Sequence, residues 1–332
     1  MKICILDDSQ DAVRRLACFS LLAGHEVTVH RDTVKDEGAL AERLALAQAV
    51  VLIRERTRLT DSLLARLPAL ELVSQTGGAG NHLDLEACTR RGVTVCQGQG
   101  SPVAPAELTW ALVLASMRHV PLEDRRLRAG HWQSTVGRAL HGLTLGVWGY
   151  GKIGRLVAGY GKAFGMQVLA FGREGSLARA AADGVAVAAG RAQLLEQSDV
   201  LCLHLRLAPE TRGLVGAADL GRMKPDALLV NTSRAELIAP GALEAALRAG
   251  RPGFAAVDVF ESEPVLGANH PLLRLDNVVA TPHLGYVEQR TYEAYFRQAF
   301  ENVLAYAAGK PVNVVNPAVK PRASAAPLSG SR

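Results

Sequence analysis

Two groups of residues in this sequence have types and spacings that can do chemistry. The first is Gly149-Tyr150-Gly151-Lys152-Ile153-Gly154, a G-x-G-x-x-G run. In such a loop the first glycine makes a tight turn and the second lets the backbone approach a pyrophosphate. The third lets the following helix pack close to the sheet. Free N–H groups and the helix dipole at that N-terminus then favour an anion. The second group is Arg234 in VNTSRAELI, Asp258 and Glu263 in VDVFESEP, and His283 in TPHLGY. An arginine fork can hold a carboxylate and polarise a neighbouring carbonyl. A histidine with an ordinary pKa of roughly 6.5 can deliver a proton to an oxygen as negative charge builds there. A glutamate within reach would stabilise and orient the imidazolium, and Asp258 can accept a hydrogen bond from a nicotinamide carboxamide. The chemistry these groups suit is hydride transfer from a dinucleotide to a ketone, with His283 as the acid.

The glycine run alone is a weak signal, and its context is what gives it weight. TLGVW before it reads as a strand, KIGRLVAGYGKAFG as a helix, and QVLAF as the next strand, the order a dinucleotide fold requires. An ATPase-type phosphate loop does not fit, because Ile153 stands where Ser or Thr would follow the lysine. In dinucleotide folds the second strand commonly ends in a carboxylate that grips the ribose of NAD. Here it ends in Gly172 and Arg173. A planar, permanently charged fork suits a 2′-phosphate, and Ser176 can add a hydrogen bond. NADP(H) is the expected cofactor and NAD(H) the alternative, in which Glu174 takes the ribose and Arg173 is a surface residue.

These residues need a frame, and the hydrophobic pattern supplies one. KICIL, EVTVH, AVVLI, LELVSQ and VTVC read as strands, separated by helical stretches SQDAVRRLACFSLL, GALAERLALA, DSLLARLP and LDLEACTRRG. A long apolar helix, about Pro105 to Val120, follows. The alternation then restarts through DVLCLHL, ALLVNTS, GALEAALRAG, FAAVDVF and NVVATPH, and a last helix runs from about Val287 to Ala308. Strands alternating with helices mean parallel, doubly wound sheets. Ligands then bind outside the strands' carboxyl ends, where Arg234, Asp258, Glu263 and His283 all fall. The final helix comes after the second sheet is complete, so it is expected to return to the first domain.

Composition narrows the class. The chain has 332 residues, enough for two domains. It is 48% hydrophobic and 21% charged, as a globular protein is. No apolar run reaches the roughly 18–20 residues that span a bilayer, and MKICILDD turns acidic too early for a signal peptide. The net charge of +5 is dispersed among acids, which argues against a nucleic-acid partner. Five scattered cysteines with no CxxC spacing suggest neither metal nor disulfide framework, and point to a reducing, cytoplasmic compartment.

The motifs GYGKIG, LHLRLAPETRGLVG, VNTSR, VDVFESEP and TPHLGY, in that order, resemble the D-isomer-specific 2-hydroxyacid dehydrogenases, over about Met1 to Asn316. The resemblance implies an α/β chain of two doubly wound parallel-sheet domains. One is a discontinuous flavodoxin-like substrate domain, 1–103 and 285–318. The other is an inserted Rossmann cofactor domain, 104–284, and residues 319–332 are expected to form a disordered tail. It further implies reduction of small 2-oxoacids to D-2-hydroxyacids and a homodimer. Arg234 would bind the oxoacid, His283 would be the acid/base partnered by Glu263, and Asp258 would contact the nicotinamide. His204 and Thr211 of the second motif and Thr232 of the third are expected among the cofactor contacts. Gly78, Ala79 and Gly80 would offer backbone N–H groups to the substrate carboxylate, with Arg54 nearby. Two departures stand out. Ala235 and Glu236 follow the arginine where the family often has glycine, and Arg206 stands where it often has proline. The alternatives are a formate- or phosphite-type dehydrogenase of the same fold and a nucleotide-sensing co-repressor-like binding protein.

Overall fold

The computed structural model describes residues 1–320 and forms two compact units, Met1–Gly100 with the chain from Gln289 onward, and Ser101–Glu288. The expected joins lay near 103/104 and 284/285. The expected disorder of the tail falls, from residue 321 on, outside the described residues.

The first unit holds β1 (Lys2–Ile5), β2 (Glu26–Val29), α1 (Glu37–Leu44), β3 (Ala49–Leu52), α2 (Asp61–Ala65), β4 (Leu72–Gln75), α3 (Leu85–Arg90) and β5 (Thr94–Gln97). The five strands pair with one another in parallel, in the order β2-β1-β3-β4-β5, the flavodoxin-like arrangement. The central strand β3, AVVL, is apolar and buried at every position, as a strand covered on both faces must be. The expected helix SQDAVRRLACFSLL is instead two 3-10 segments, Val13–Arg15 and Ala17–Leu22. Leu16 is extended, with ψ 140°, and Asp8 takes the N–H groups of Ala12 and Val13 at 3.0 Å each, so a continuous helical ladder does not form.

The second unit begins with α4 (Val103–Met117) and α5 (Val120–Arg128). The one long helix expected to Val120 stops at Met117. His119 is left-handed, with φ 53°, and the Met117 carbonyl accepts the Arg138 N–H instead of continuing the helix. Then follow β6 (Thr144–Trp148), α6 (Lys152–Ala163), β7 (Gln167–Phe171), α7 (Glu174–Ala182), β8 (Ala186–Val187), α8 (Arg191–Gln197) and β9 (Val200–Leu203). After them come α9 (Ala217–Leu220), β10 (Leu228–Asn231), α10 (Ala242–Arg248), β11 (Phe254–Val257) and β12 (Val278–Ala280). The seven parallel strands run β12-β11-β10-β9-β6-β7-β8, so the order reverses between β6 and β9. That switch point opens a crevice at the carboxyl ends.

Successive strand residues feed opposite layers. Leu145, Val147, Val168, Ala170, Val200, Cys202, Leu228 and Val230 enter the core beneath α4 and α6. Trp148, Leu169, Leu201, Leu203, Leu229 and Val257 enter the other core, with Leu194 and Leu243. The last helix, α11 (Gln289–Ala307), belongs to the first unit. All five cysteines are buried and unbridged, and burial pushes the Cys4 and Cys88 thiols up to about 12. Among the described residues no helix is long and apolar enough to cross a membrane.

Candidate active site

The glycine run occupies the turn from β6 into α6. Gly149 has φ +105°, and a Cβ there would run into the His204 carbonyl. Gly154 is buried, and a Cβ on it would run into the Gly149 carbonyl as α6 crosses β6. Gly151 is different: nothing lies within 4 Å of where its Cβ would be. No internal packing demands glycine at that position. The open space at a helix N-terminus is what a dinucleotide pyrophosphate needs, so the residues fit such a group.

The intervening side chains do not face that space alike. Tyr150 is 2% exposed, and its hydroxyl donates to Asp183 at 3.0 Å. Burial first, and Asp183 next, push its phenol up to about 12. Ile153 packs on the core, and Lys152 is exposed. The loop's offering to a nucleotide is therefore backbone. At the end of β7, Gly172 would place a Cβ 3.7 Å from the Gly149 Cα and 3.6 Å from Ser176. Arg173 is exposed at the N-cap of α7, and its φ and ψ of −72° and 154° turn the chain out of the strand.

His204 follows β9 at the switch point. Its N–H bonds the Trp148 carbonyl at 2.8 Å. The residue is half-buried, yet its Nε2 is enclosed without a hydrogen-bond partner. Burial lowers its pKa to about 4, which keeps the ring neutral. Thr211 is committed to its own loop, donating to the Arg206 carbonyl at 2.7 Å and accepting from Ala208 N–H at 2.8 Å. Arg206 is exposed.

The second constellation sits where β10, β11 and β12 end. Asn231 closes β10; its Nδ2 donates to the Arg234 carbonyl at 2.9 Å, and its Oδ1 accepts Ser233 N–H at 3.1 Å. The Ser233 hydroxyl donates to the Leu203 carbonyl at 2.7 Å. These bonds shape the bend that carries Arg234, whose Nη1 donates to the Ser233 carbonyl at 2.7 Å. Ala235 starts a 3-10 turn and is not among the positive-φ residues, so the missing glycine brings no strain. Glu236 is turned toward Arg212, 3.8 Å away.

His283 Nδ1 lies 2.6 Å from Glu263 Oε2. The other oxygen of Glu263 accepts the Phe260 N–H at 3.0 Å, which holds the carboxylate in place. His283 itself is left-handed, with φ 54°, and Tyr286 meets its ring edge-on at 5.7 Å between centroids. Asp258 holds this unusual turn. Its Oδ1 accepts from the Thr281 hydroxyl at 2.6 Å and Leu284 N–H at 2.7 Å, and its Oδ2 from Gly285 N–H at 2.9 Å. Asp258 is fully buried. Burial raises its pKa, and the Thr281 and backbone donors oppose that shift. A carboxylate has about four lone-pair sites, and three of those of Asp258 hold the His283 turn.

Two further residues tie these pieces together. Thr109 in α4 donates to the Pro105 carbonyl and lies 2.7 Å from the Thr232 hydroxyl. Pro105 packs against Gly285, whose Cβ position is 3.5 Å from the Pro105 Cβ. The first turns of α4 thus touch both the Arg234 bend and the His283 turn. Sequence reasoning passes over both residues; the only signal is that Thr109 is one of two hydroxyls in the apolar run AELTWALVLASM.

In the first unit, Gly77 has φ +74° and a Cβ there would run into the Arg54 guanidinium. Arg54 Nη1 lies 3.4 Å from the Thr76 carbonyl, and its guanidinium carbon is 5.8 Å from the Tyr295 ring centre. The Ala79 N–H already bonds Gln97 Oε1 at 3.0 Å, so it is not available to a carboxylate. The N–H groups of Gly78 and Gly80 carry no hydrogen bond among the described residues. His82 Nε2 meets Gln75 Oε1 at 3.1 Å.

Residues 110–285 match the family model described as D-isomer specific 2-hydroxyacid dehydrogenase, NAD binding domain. A glyoxylate reductase from Aeropyrum pernix is 41% identical over 284 residues, covering 78% of this chain and 82% of the relative. A D-3-phosphoglycerate dehydrogenase from Methanocaldococcus jannaschii is 35% identical over 81% of this chain, which spans only 51% of that relative. A crystal structure from Ralstonia solanacearum, named as a D-3-phosphoglycerate dehydrogenase oxidoreductase, is 56% identical, with a TM-score of 0.94 over 96% of this chain and 98% of its own. The chain therefore belongs to the D-isomer-specific 2-hydroxyacid dehydrogenases, a family that binds NAD(H) through this seven-stranded domain and acts on 2-hydroxyacids and 2-oxoacids.

Proposed function

We propose that the protein reduces small 2-oxoacids to D-2-hydroxyacids with NADPH in preference to NADH. The observation that carries the reduction is the 2.6 Å bond between His283 Nδ1 and Glu263, on a turn clamped by Asp258. When bound, the reduced nicotinamide supplies the hydride. Arg234 holds the substrate carboxylate and polarises the adjacent carbonyl. His283 gives its Nε2 proton to the carbonyl oxygen while its Nδ1–H keeps donating to Glu263, whose carboxylate stabilises the charged ring beforehand. Within the first unit taken by itself, Arg54 and the N–H groups of Gly78 and Gly80 suit a carboxylate. Glyoxylate is the favoured substrate, because the Aeropyrum pernix relative is a glyoxylate reductase that this chain matches over most of its length.

The cofactor preference rests on the end of β7. No carboxylate follows Phe171 directly, Arg173 is exposed and unpaired among the described residues, and Ser176 is beside Gly172. An arginine–phosphate contact is charge-assisted and geometrically matched. The test is the initial rate of NADPH and NADH oxidation, side by side, with glyoxylate, hydroxypyruvate, pyruvate, phenylpyruvate and phosphohydroxypyruvate. Glyoxylate or hydroxypyruvate with NADPH should be fastest. In Arg173→Ala, kcat/KM for NADPH should fall about 10- to 100-fold, the loss of one charged hydrogen-bonded contact of roughly 1.5–3 kcal/mol. Kinetics with NADH should stay nearly constant, and an equal loss with both nucleotides would place Arg173 elsewhere.

A homodimer belongs to the same reading. Leu127, Trp132 and Val136 are 56%, 76% and 92% exposed, and Trp132 and Leu127 line a groove with Leu114 and Val120. Exposed apolar side chains grouped beside the charged Arg118, Glu123 and Asp124 suit an interface with an apolar centre and a polar rim. Light scattering after size exclusion should give twice the 35.3 kDa chain mass, and a monomer mass would dismiss the dimer.

A further inference from the structure

We propose that Thr109 sets the polarity of the Thr232 hydroxyl, so that Thr232 acts only as a hydrogen-bond acceptor toward the nicotinamide carboxamide. The inference rests on the nicotinamide-nucleotide reading above.

A threonine hydroxyl has one hydrogen and two lone pairs. The Thr109 oxygen is 2.7 Å from the Pro105 carbonyl, which can only accept. Its one hydrogen is spent there. The same oxygen is 2.7 Å from that of Thr232, and this second bond needs a hydrogen that Thr109 no longer has. Thr232 must supply it. Thr109 is fully buried, so no water competes for the arrangement. Thr232 is only half-buried and keeps two lone pairs with no hydrogen to give.

Its place in the fold makes that polarity matter. Thr232 directly follows β10 and stands two residues before Arg234. Asp258 directly follows β11, and its N–H bonds the Asn231 carbonyl at 3.0 Å. Asp258 is fully buried, and its carboxylate holds the His283 turn. At the end of β10 the side chain of Thr232 therefore offers an acceptor and no donor. A carboxamide has one face of each kind, an NH2 that donates and a C=O that accepts. Only the NH2 is compatible with Thr232 held this way. The turn of the carboxamide, and with it the orientation of the nicotinamide ring, would follow from a residue buried inside α4.

The experiment measures dissociation constants, by quenching of protein fluorescence, for the oxidised dinucleotide, its 3-acetylpyridine form and its thionicotinamide form. The acetyl form lacks the NH2; the thio form keeps it. The native protein should bind the acetyl form about fivefold more weakly or worse than the natural dinucleotide, as one lost hydrogen bond predicts, and the thio form about as well as the natural one. Thr109→Val keeps the shape of the side chain and removes the acceptor. The Thr232 hydrogen is then free to donate, and the acetyl-to-natural ratio should fall toward one. Thr109→Ser should restore the native ratio, which loss of packing alone would not do. Should the valine variant fail to fold, Thr109→Ala carries the same expectation. A native ratio near one, or a ratio unchanged in folded Thr109→Val, overturns the proposal while leaving nucleotide binding intact. Failure of the native protein to bind any of the three overturns the reading beneath it as well.

Discussion

Replacing His283 with alanine is expected to lower kcat for the 2-oxoacid about 10³-fold, within the range of roughly 10²–10⁴ for loss of a general acid. The dissociation constant for NADPH should change little. The expectation follows from how the ring is held. Nδ1 is fixed by Glu263 at 2.6 Å, and Glu263 is fixed by the Phe260 N–H at 3.0 Å. That leaves Nε2 as the nitrogen able to face a substrate. The left-handed backbone at His283, φ 54°, is costly for a non-glycine residue, and the Asp258 clamp is what sustains it. Glu263→Gln keeps a side-chain oxygen and an amide but loses the charge, so kcat should fall less, about 10- to 100-fold. Steady-state turnover beside nucleotide titration checks both variants. Unchanged turnover in His283→Ala would remove the histidine from the mechanism.

Arg234→Gln carries the second large effect. Removing one partner of a hydrogen-bonded charge pair costs about 2–5 kcal/mol, so kcat/KM for the oxoacid should drop on the order of 10³-fold. Part of the loss should appear in kcat, because the arginine also polarises the carbonyl. Arg234→Lys should recover only part of the activity, since an ammonium lacks the planar fork. The backbone bend should survive either change: it is made by Asn231 and Ser233, bonded to the Arg234 carbonyl and the Leu203 carbonyl. Circular dichroism and NADPH binding like the native protein's would confirm that. A loss confined to the nucleotide dissociation constant would move Arg234 from the substrate to the cofactor.

The architecture was legible because hydrophobic patterning acts locally. Runs such as AVVL and VLCL are apolar at every position, which only a strand covered on both faces can bury. Their alternation with helices left one class of fold. Gly149 and Gly154 were legible for the same reason, each excluded from bearing a Cβ by a carbonyl that any such turn would bring close. Arg234, Glu263 and His283 stand out as candidates because each follows an apolar strand, and a parallel sheet gathers strand ends at one edge.

What the sequence could not determine depended on which partner each polar group takes. SQDAVRRLACFSLL has a helical pattern, but the Asp8 carboxylate competes for its N–H groups and leaves 3-10 turns. Asp258 reads as a free acceptor until Thr281, Leu284 and Gly285 are seen around it. Tyr150 lies inside the nucleotide motif, yet its side chain goes to Asp183, 33 residues away. Thr109 is one hydroxyl in an apolar helix, given meaning only by Thr232, 123 residues on. The sequence by itself determined the layers, the strand ends and the chemical types at the site, because periodicity and glycine sterics are properties of neighbours. The tertiary structure alone decided which lone pair and which hydrogen each side chain has left to offer, because a hydrogen bond spends a valence that no local pattern records.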